Sequence, residues 1–348
     1  MNWWKKLKTN RLAQFGAILL ILLYVVAIGA DFFAPYDPYA SQPNGSLLPP
    51  TRVYLRNQQT GDWIGPHVYP TTQGPVSLET GAREIQVDFS QPSPIRILHR
   101  DDSGQLKLFD TAGPGKWNIL GTDEQARDQF SRLLHGSRVS LFVGLIGIAI
   151  SFPLGMLIGG MAGYFGGAVD AVLMRFVEVL MTIPSIYLLV ALAGVLPPGL
   201  SSAQRFMLIV LITSLIGWSG LARVIRGQVL SIKEQEFVQA SRVMGGRSFY
   251  VITRHVLPQT ATYGIIAATL AIPGFILAEA VLSFIGLGIQ QPDASWGNML
   301  SISTNASILV LQPWLVWPPA ILIVVTSLAF NLLGDGLRDA LDPRTLKQ

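Results

Sequence analysis

The chain has 348 residues, half of them hydrophobic and only 13% charged, with a formal net charge of +4. Soluble domains carry nearer about a quarter charged residues, so this composition, with a mean hydropathy of +0.43, is that of an integral membrane protein. The absence of cysteine excludes disulfides, thiolate metal sites and a cysteine nucleophile, and the small positive charge is no signal for nucleic acid.

A helix needs about 20 apolar residues to cross a bilayer. Residues 12–30 supply the first such run, interrupted only by Gln14. The run is long for a signal-peptide core and no small-x-small cleavage site follows, so it is read as a retained span. Pro35, Pro38, Pro43, Pro49 and Pro50 then open an irregular polar segment. Within it, residues 94–110 read as a hairpin, with Ile95, Ile97, Lys107 and Phe109 alternating around a DDSG turn. Residues 51–56 and 84–89 are further candidate strands. The expectation is a small β-rich unit at 39–119. His67 and His99 stand isolated in it, the pattern of packing or surface residues rather than metal ligands.

Further apolar runs fall at about 139–163, 169–196, 205–224, 259–288 and 316–334, giving six spans. Gly155, Gly159 and Gly163 make two overlapping G-x-x-x-G repeats in the second, a pattern for close helix packing more than for a substrate groove. Asp170, Arg175 and Glu178 open the third, with Arg175 and Glu178 spaced to pair at i, i+3. Pro184, Pro273 and Pro318–Pro319 are sites for kinks. Glu279 lies deep in the fifth span among Ala, Leu and Val, where it either lines a water-filled path or pairs with a neighbouring helix. Trp296, in the outer loop, reads as an aromatic-belt anchor.

The stretch between spans four and five is polar and basic. Six cations, Arg223, Arg226, Lys233, Arg242, Arg247 and Arg254, cluster in and beside it. Ser231 and Glu234 have the spacing of a capping box that starts a helix. Phe237, Ala240 and Met244 then share one face, Gly245 and Gly246 stop the helix, and a second short helix runs from about Ser248 until Pro258 breaks it. Two readings stand: a docking element for another protein, or an interfacial elbow on lipid headgroups. The positive-inside rule groups this loop with the basic N-terminus (Lys5, Lys6, Lys8, Arg11) and the C-terminal Arg338, Arg344 and Lys347, all on the cytoplasmic side. No P-loop, no H-E-x-x-H and no Ser/His/Asp arrangement occurs, so enzymatic activity is not expected of this chain alone.

Four stretches resemble a known family. Residues 121–141, GTDEQARDQFSRLLHGSRVSL, are similar to its G-T-D-x-x-G-R-D pattern followed by S-R-L-x-x-G-x-R, with Ala126 at the usual second glycine. The loop matches the family's E-A-A-x3-G-x9-I-x-L-P signature at Ala240, Gly245, Leu257 and Pro258, and departs from it at Gln239, Ser241 and His255. Residues 282–300 look like the span-five exit of its peptide branch, and the tail 331–344 is similar to the family's. The chain thus resembles the second, C-type permease subunit of oligopeptide/dipeptide/nickel-type binding-protein-dependent ABC importers. The resemblance covers the first 38 residues and nearly all of 120–344, and the insertion 39–119 matches no motif.

That resemblance implies an all-α integral membrane protein with six transmembrane helices of the type I ABC importer permease fold, to which the strand patterns read above add a small β-rich extracytoplasmic insertion. It divides the chain into 1–38, an N-terminal cytoplasmic segment with the first helix; 39–119, the insertion; and 120–348, a five-helix core carrying a cytoplasmic coupling loop at 225–258. The coupling residues it implies are Glu236, Phe237, Ala240, Ser241, Arg242, Met244, Gly245, Leu257 and Pro258, with Glu279 as a pathway candidate. Implied partners are a paralogous permease, two ATP-binding subunits, an extracytoplasmic substrate-binding protein and membrane lipid, without nucleic acid, cofactor or metal. The implied location is the bacterial inner (plasma) membrane, with both termini cytoplasmic. The rivals are an ion-coupled secondary transporter, which predicts repeat-related broken helices around a midplane site, and a membrane-anchored receptor, which leaves five spans without a role.

Overall fold

A computed structural model of the chain describes residues 3–76, 83–101, 104–197 and 199–341. The chain opens with α1 (Trp3–Leu7), α2 (Arg11–Ile28) and α3 (Ala30–Phe33). Strands β1 (Tyr54–Arg56), β2 (Trp63–Val68), β3 (Thr71–Val76), β4 (Arg83–Val87), β5 (Ser93–Arg100) and β6 (Leu106–Thr111) follow. The helical part comprises α4 (Gln129–Phe165), α5 (Gly167–Thr182), α6 (Ser185–Gly194), α7 (Ser202–Ile232), α8 (Glu236–Val243), α9 (Ser248–Val251) and, after a π-helical turn at Ile252–Val256, α10 (Leu257–Phe284). It ends with α11 (Trp296–Leu300), a 3-10 turn at Ser301–Thr304, α12 (Ala306–Leu311) and α13 (Pro313–Leu341).

Among the described residues five helical runs are long and apolar enough to cross a membrane, and six if α5 and α6 count as one span. All six expected spans are therefore helical, but the third is not one straight helix: α5 and α6 meet at 86°. Pro184 causes the break. It has no N–H for the helical ladder, and its ring pushes Ile183 before it out of the helical region, to ψ 124°. Pro153, Pro273 and Pro318–Pro319 sit inside continuous helices.

The chain divides into two compact units. One comprises Met1–Ile21, Phe142–Leu282 and Val325–Gln348. Its helices approach through glycine. A Cβ on Gly159 would lie 2.4 Å from the Ala222 carbonyl oxygen of α7, and one on Gly163 2.8 Å from that of Arg226. The G-x-x-x-G seam of α4 is thus the surface that α7 packs against. Val177, Trp218 and Ala222 are buried alongside it. A Cβ on Gly16 of α2 would likewise lie 2.7 Å from the Ala329 carbonyl of α13.

The other unit comprises Leu22–Leu141 and Ser283–Val324. It holds a four-stranded antiparallel sheet of order β1-β2-β5-β6 and a separate β3-β4 pair. The hairpin expected at 94–110 is β5-β6, with Ile97 opposite Phe109 and His99 opposite Lys107; Asp102 and Ser103 of its turn lie outside the described residues. β1 falls in the candidate strand segment 51–56, and β4 overlaps the one at 84–89. β2 and β3 escaped the sequence reading because Gly65, Pro66, Gly74 and Pro75 interrupt their alternation. His67 is fully buried, its ring nitrogens bonded to the Gly65 carbonyl at 2.8 Å and the Tyr69 hydroxyl at 3.1 Å. It belongs to an aromatic cluster with Tyr54, Tyr69 and Phe89.

Polar clamps hold this second unit. Asp31, just beyond α2, pairs with Arg138 at 2.8 Å and His135 at 3.0 Å, and its carbonyl accepts from Lys107 Nζ at 2.9 Å. Arg127 and Arg132 share the Asp123 carboxylate and both donate to the Gln291 amide oxygen. Trp296 corrects the sequence reading. It is no belt anchor but a wholly buried side chain, its N–H donating to the Ser140 hydroxyl and its indole N–H to the Leu133 carbonyl. The polar tip of the ring is satisfied by protein, so the ring needs no interface with water.

Candidate functional site

The loop between α7 and α10 starts later than the sequence suggests. Ser231 and Glu234 do not form a capping box. α7 continues through Ser231 to Ile232, because Ile225 and Val229 are buried and carry the helix on. α8 begins at Glu236 after an extended Gln235 with no side-chain cap. The capping box of this region lies at the other end of α7, where Ser201 and Gln204 bond each other's backbone N–H groups.

α8 is two-faced. Val238 and Ser241 are buried, while Phe237, Ala240 and Met244 point outward, the last 82% exposed. The expected i, i+3, i+7 stripe is therefore a solvent-facing apolar stripe. Val238 seats the helix against Ile225, Val229, Val251 and Val256. The helix ends as expected at Gly245, whose φ of +85° is free of penalty only for glycine. The Gly245 N–H donates to the Arg242 carbonyl at 3.0 Å and the Gly246 N–H to the Ser241 carbonyl at 2.9 Å, a complete Schellman motif.

Pro258 does not break the following helix. α9, the π turn at Ile252–Val256 and α10 form one continuous helical run, Ser248–Phe284. Proline cannot donate to the carbonyl four residues back, and the wider π turn just before it accommodates that gap. Leu257 is half-buried, its side chain 2.8 Å from where a Cβ on Gly160 would stand.

The nine residues implied for coupling thus differ in exposure. Glu236, Phe237, Ala240, Arg242, Met244, Gly245 and Pro258 are exposed, Ser241 is buried, and Leu257 packs into the chain's own helices. The sequence reading missed Val243, Phe249 and Tyr250, which are 87%, 66% and 53% exposed and widen the apolar surface. Their signal was present as large apolar residues in a basic, polar loop. It also missed Val238, which carries the seating of α8. Of the charged residues in the third span, Arg175 and Glu178 pair at 3.3 Å as their spacing predicts. Asp170 instead pairs with Arg226 of α7 at 2.5 Å, a partner 56 positions away that no local pattern shows. Glu279 is fully buried in α10.

Comparison with known proteins places these features. Residues 155–347 match the family of binding-protein-dependent transport system inner membrane components. Residues 2–50 match the N-terminal TM domain of oligopeptide transport permease C. A dipeptide transport system permease protein of Bacillus subtilis (strain 168) is 34% identical over 341 residues, covering 98% of this chain and 84% of the relative. An oligopeptide transport system permease protein of the same organism is 39% identical over 351 residues, covering 100% of this chain and 92% of the relative. The oligopeptide permease of Haemophilus influenzae is 40% identical over 228 residues, or 66% of this chain and 71% of that protein. With five or six apolar helical runs among the described residues and the family match over its larger part, the chain belongs to the binding-protein-dependent transport system inner membrane components: it is a multi-pass permease subunit of a bacterial ABC importer.

Proposed function

We propose that this subunit forms, with a paralogous permease, the pathway for uptake of peptides, and that two separate ATP-binding subunits drive it through the loop at 225–258. An extracytoplasmic binding protein delivers the substrate. Peptide is the cargo because full-length relatives carry dipeptide and oligopeptide permease names. In this reading 1–38 is the N-terminal segment with the first helix, 39–119 the outer insertion and 120–348 the core. Both termini lie in the cytoplasm of a bacterial inner membrane, and ATP hydrolysis belongs to the partners. Glu279 is the pathway candidate.

The observation that carries the coupling role is the direction of the α8 stripe. Phe237, Ala240 and Met244 face away from the helix's own buried seat. An amphipathic helix anchored on one face and apolar on the other fits a groove in a partner. Closure of the ATPases on nucleotide displaces that helix, and the permease bundle shifts between two arrangements, each favoured by a different ligand state.

Gly245→Leu tests this. Nothing lies within 4 Å of where its Cβ would stand, so the substitution acts through the φ of +85° and through the bulk it adds to the exposed end of α8. The left-handed conformation costs a branched residue about 1–2 kcal/mol. Membrane insertion is expected to persist, while ATPase co-purification and uptake fall together; Thr60→Leu in the insertion serves as control. Full ATPase binding and full uptake in the Gly245 variant would refute the docking role.

A further inference from the structure

Val238 and Arg242 are four residues apart on α8 and so lie on the same side of the helix. Val238 is buried in the helical core, and Arg242 extends from that same side over the ring of Tyr164, its guanidinium carbon 5.8 Å from the ring centroid. Tyr164 is in the last turn of α4. Two residues later Gly166 and Gly167, with φ of +64° and +51°, turn the chain into α5. In the first turn of α5 the Asp170 carboxylate accepts from Arg226 Nε at 2.6 Å and Nη2 at 2.5 Å, a bidentate pair with α7. α7 in turn leads to α8. The contacts therefore close a circuit: α8 to the end of α4, round the glycine corner to α5, across to α7, and back along the chain to α8.

We propose that Arg242 and Tyr164 are positioning residues that strap α8 to the α4–α5 corner, and that the Asp170–Arg226 pair closes the circuit, so that displacement of α8 is delivered to this corner. The proposal rests on the reading of α8 as the ATPase-driven element and adds the path its motion takes. Arg242 is thereby assigned to the chain's own helices rather than to the ATPase. The apolar seat of Val238 has no directional preference and permits sliding. A guanidinium held over one ring, and a bidentate ion pair, do not slide without being broken.

The test uses the complete importer in liposomes, with peptides from a casein digest as the transported probe, quantified by mass spectrometry against ATP hydrolysed. Tyr164→Leu removes the π face and Tyr164→Phe keeps it. Tyr164→Leu is expected to lower uptake per ATP about two- to five-fold, the range of a lost cation–π contact at an exposed site. Tyr164→Phe should stay near wild type, and the ATPases should co-purify with both. Exchanging the ion pair, Asp170→Arg with Arg226→Asp, should restore most of what Asp170→Arg alone loses. A fluorophore on Val169→Cys, 44% exposed on α5, should report an ATP-induced change that Tyr164→Leu abolishes. An unchanged ratio and unchanged fluorescence response in Tyr164→Leu would overturn the proposal, as would loss of ATPase binding, which would make Tyr164 a folding residue of the loop. Gly245→Leu separates the two levels: if it impairs ATPase binding while Tyr164→Leu is silent, the strap alone fails; if it too is silent, the docking reading fails.

Discussion

Ala126 and Asp128 show how single residues carry the turn into α4. Ala126 has a φ of +61°, held by its carbonyl accepting from the Gln42 N–H at 2.9 Å and its N–H donating to the Asp123 carbonyl at 3.0 Å. The family pattern places glycine at this position, and the backbone gives the reason: a Cβ in the left-handed region costs about 1–2 kcal/mol. Two residues on, Asp128 caps α4, one carboxylate oxygen accepting from the Ser131 N–H at 2.7 Å. Its other oxygen is buried without a partner. Burial pushes its pKa up from 3.8 to about 7, opposed by the Ser131 hydrogen bonds and reinforced by the nearby Asp123. A carboxyl whose folded pKa is raised contributes stability in full below the unfolded pKa and loses it as pH rises through the folded one. The capped unit is therefore expected to lose thermal stability between about pH 4 and pH 8. Asp128→Asn keeps a good N-cap and removes the titration, so its melting temperature in detergent should lack that decline. Parallel pH profiles for the two proteins would refute the assignment.

At the scale of elements, the seam between α4 and α7 is set by what glycine leaves out. Gly159→Ala would place a methyl 2.4 Å from a backbone carbonyl, which cannot rotate away, so the helices must separate. Overpacking of this kind costs about 1–3 kcal/mol. Gly220→Ala on α7 meets nothing within 4 Å, and alanine favours the helix, so it should be neutral or stabilising. Opposite shifts in melting temperature for these two substitutions are the expected result; equal shifts would mean that helix propensity, not packing, governs the seam. The same distinction applies at Pro184 and Pro258. Pro184 ends α5, with Ile183 before it extended, whereas Pro258 follows a π turn that accommodates its missing donor and the helix continues.

At the scale of the molecule, the absence of cysteine makes topology directly measurable. The positive-inside rule, applied to the basic residues at the N-terminus, in the loop at 225–258 and at the C-terminus, predicts that these three regions share one side. Thr60→Cys in the insertion should react with a membrane-impermeant maleimide in intact cells. Arg247→Cys in the loop should react only after the membrane is opened. Labelling in the reverse order would invert the orientation and refute the proposed cytoplasmic placement of the loop.

Local physics made much of this protein legible in its residues. Apolar length alone marks the spans, since a bilayer admits few other structures. The hairpin at β5-β6, the left-handed stop at Gly245, the shared face of Phe237, Ala240 and Met244 on α8 and the glycine seam of α4 all follow from short-range spacing. Tertiary structure decided what depends on partners far along the chain. Ser231 forms no cap because buried Ile225 and Val229 carry α7 past it. Trp296 is buried because Ser140 and Leu133, more than 150 residues earlier, satisfy its donors. Asp170 finds Arg226 across helices, and Arg242 turns toward Tyr164 because Val238 seats α8 with that side inward. Spacing reports which side chains share a face; only packing determines which face is buried and which long polar side chain meets which.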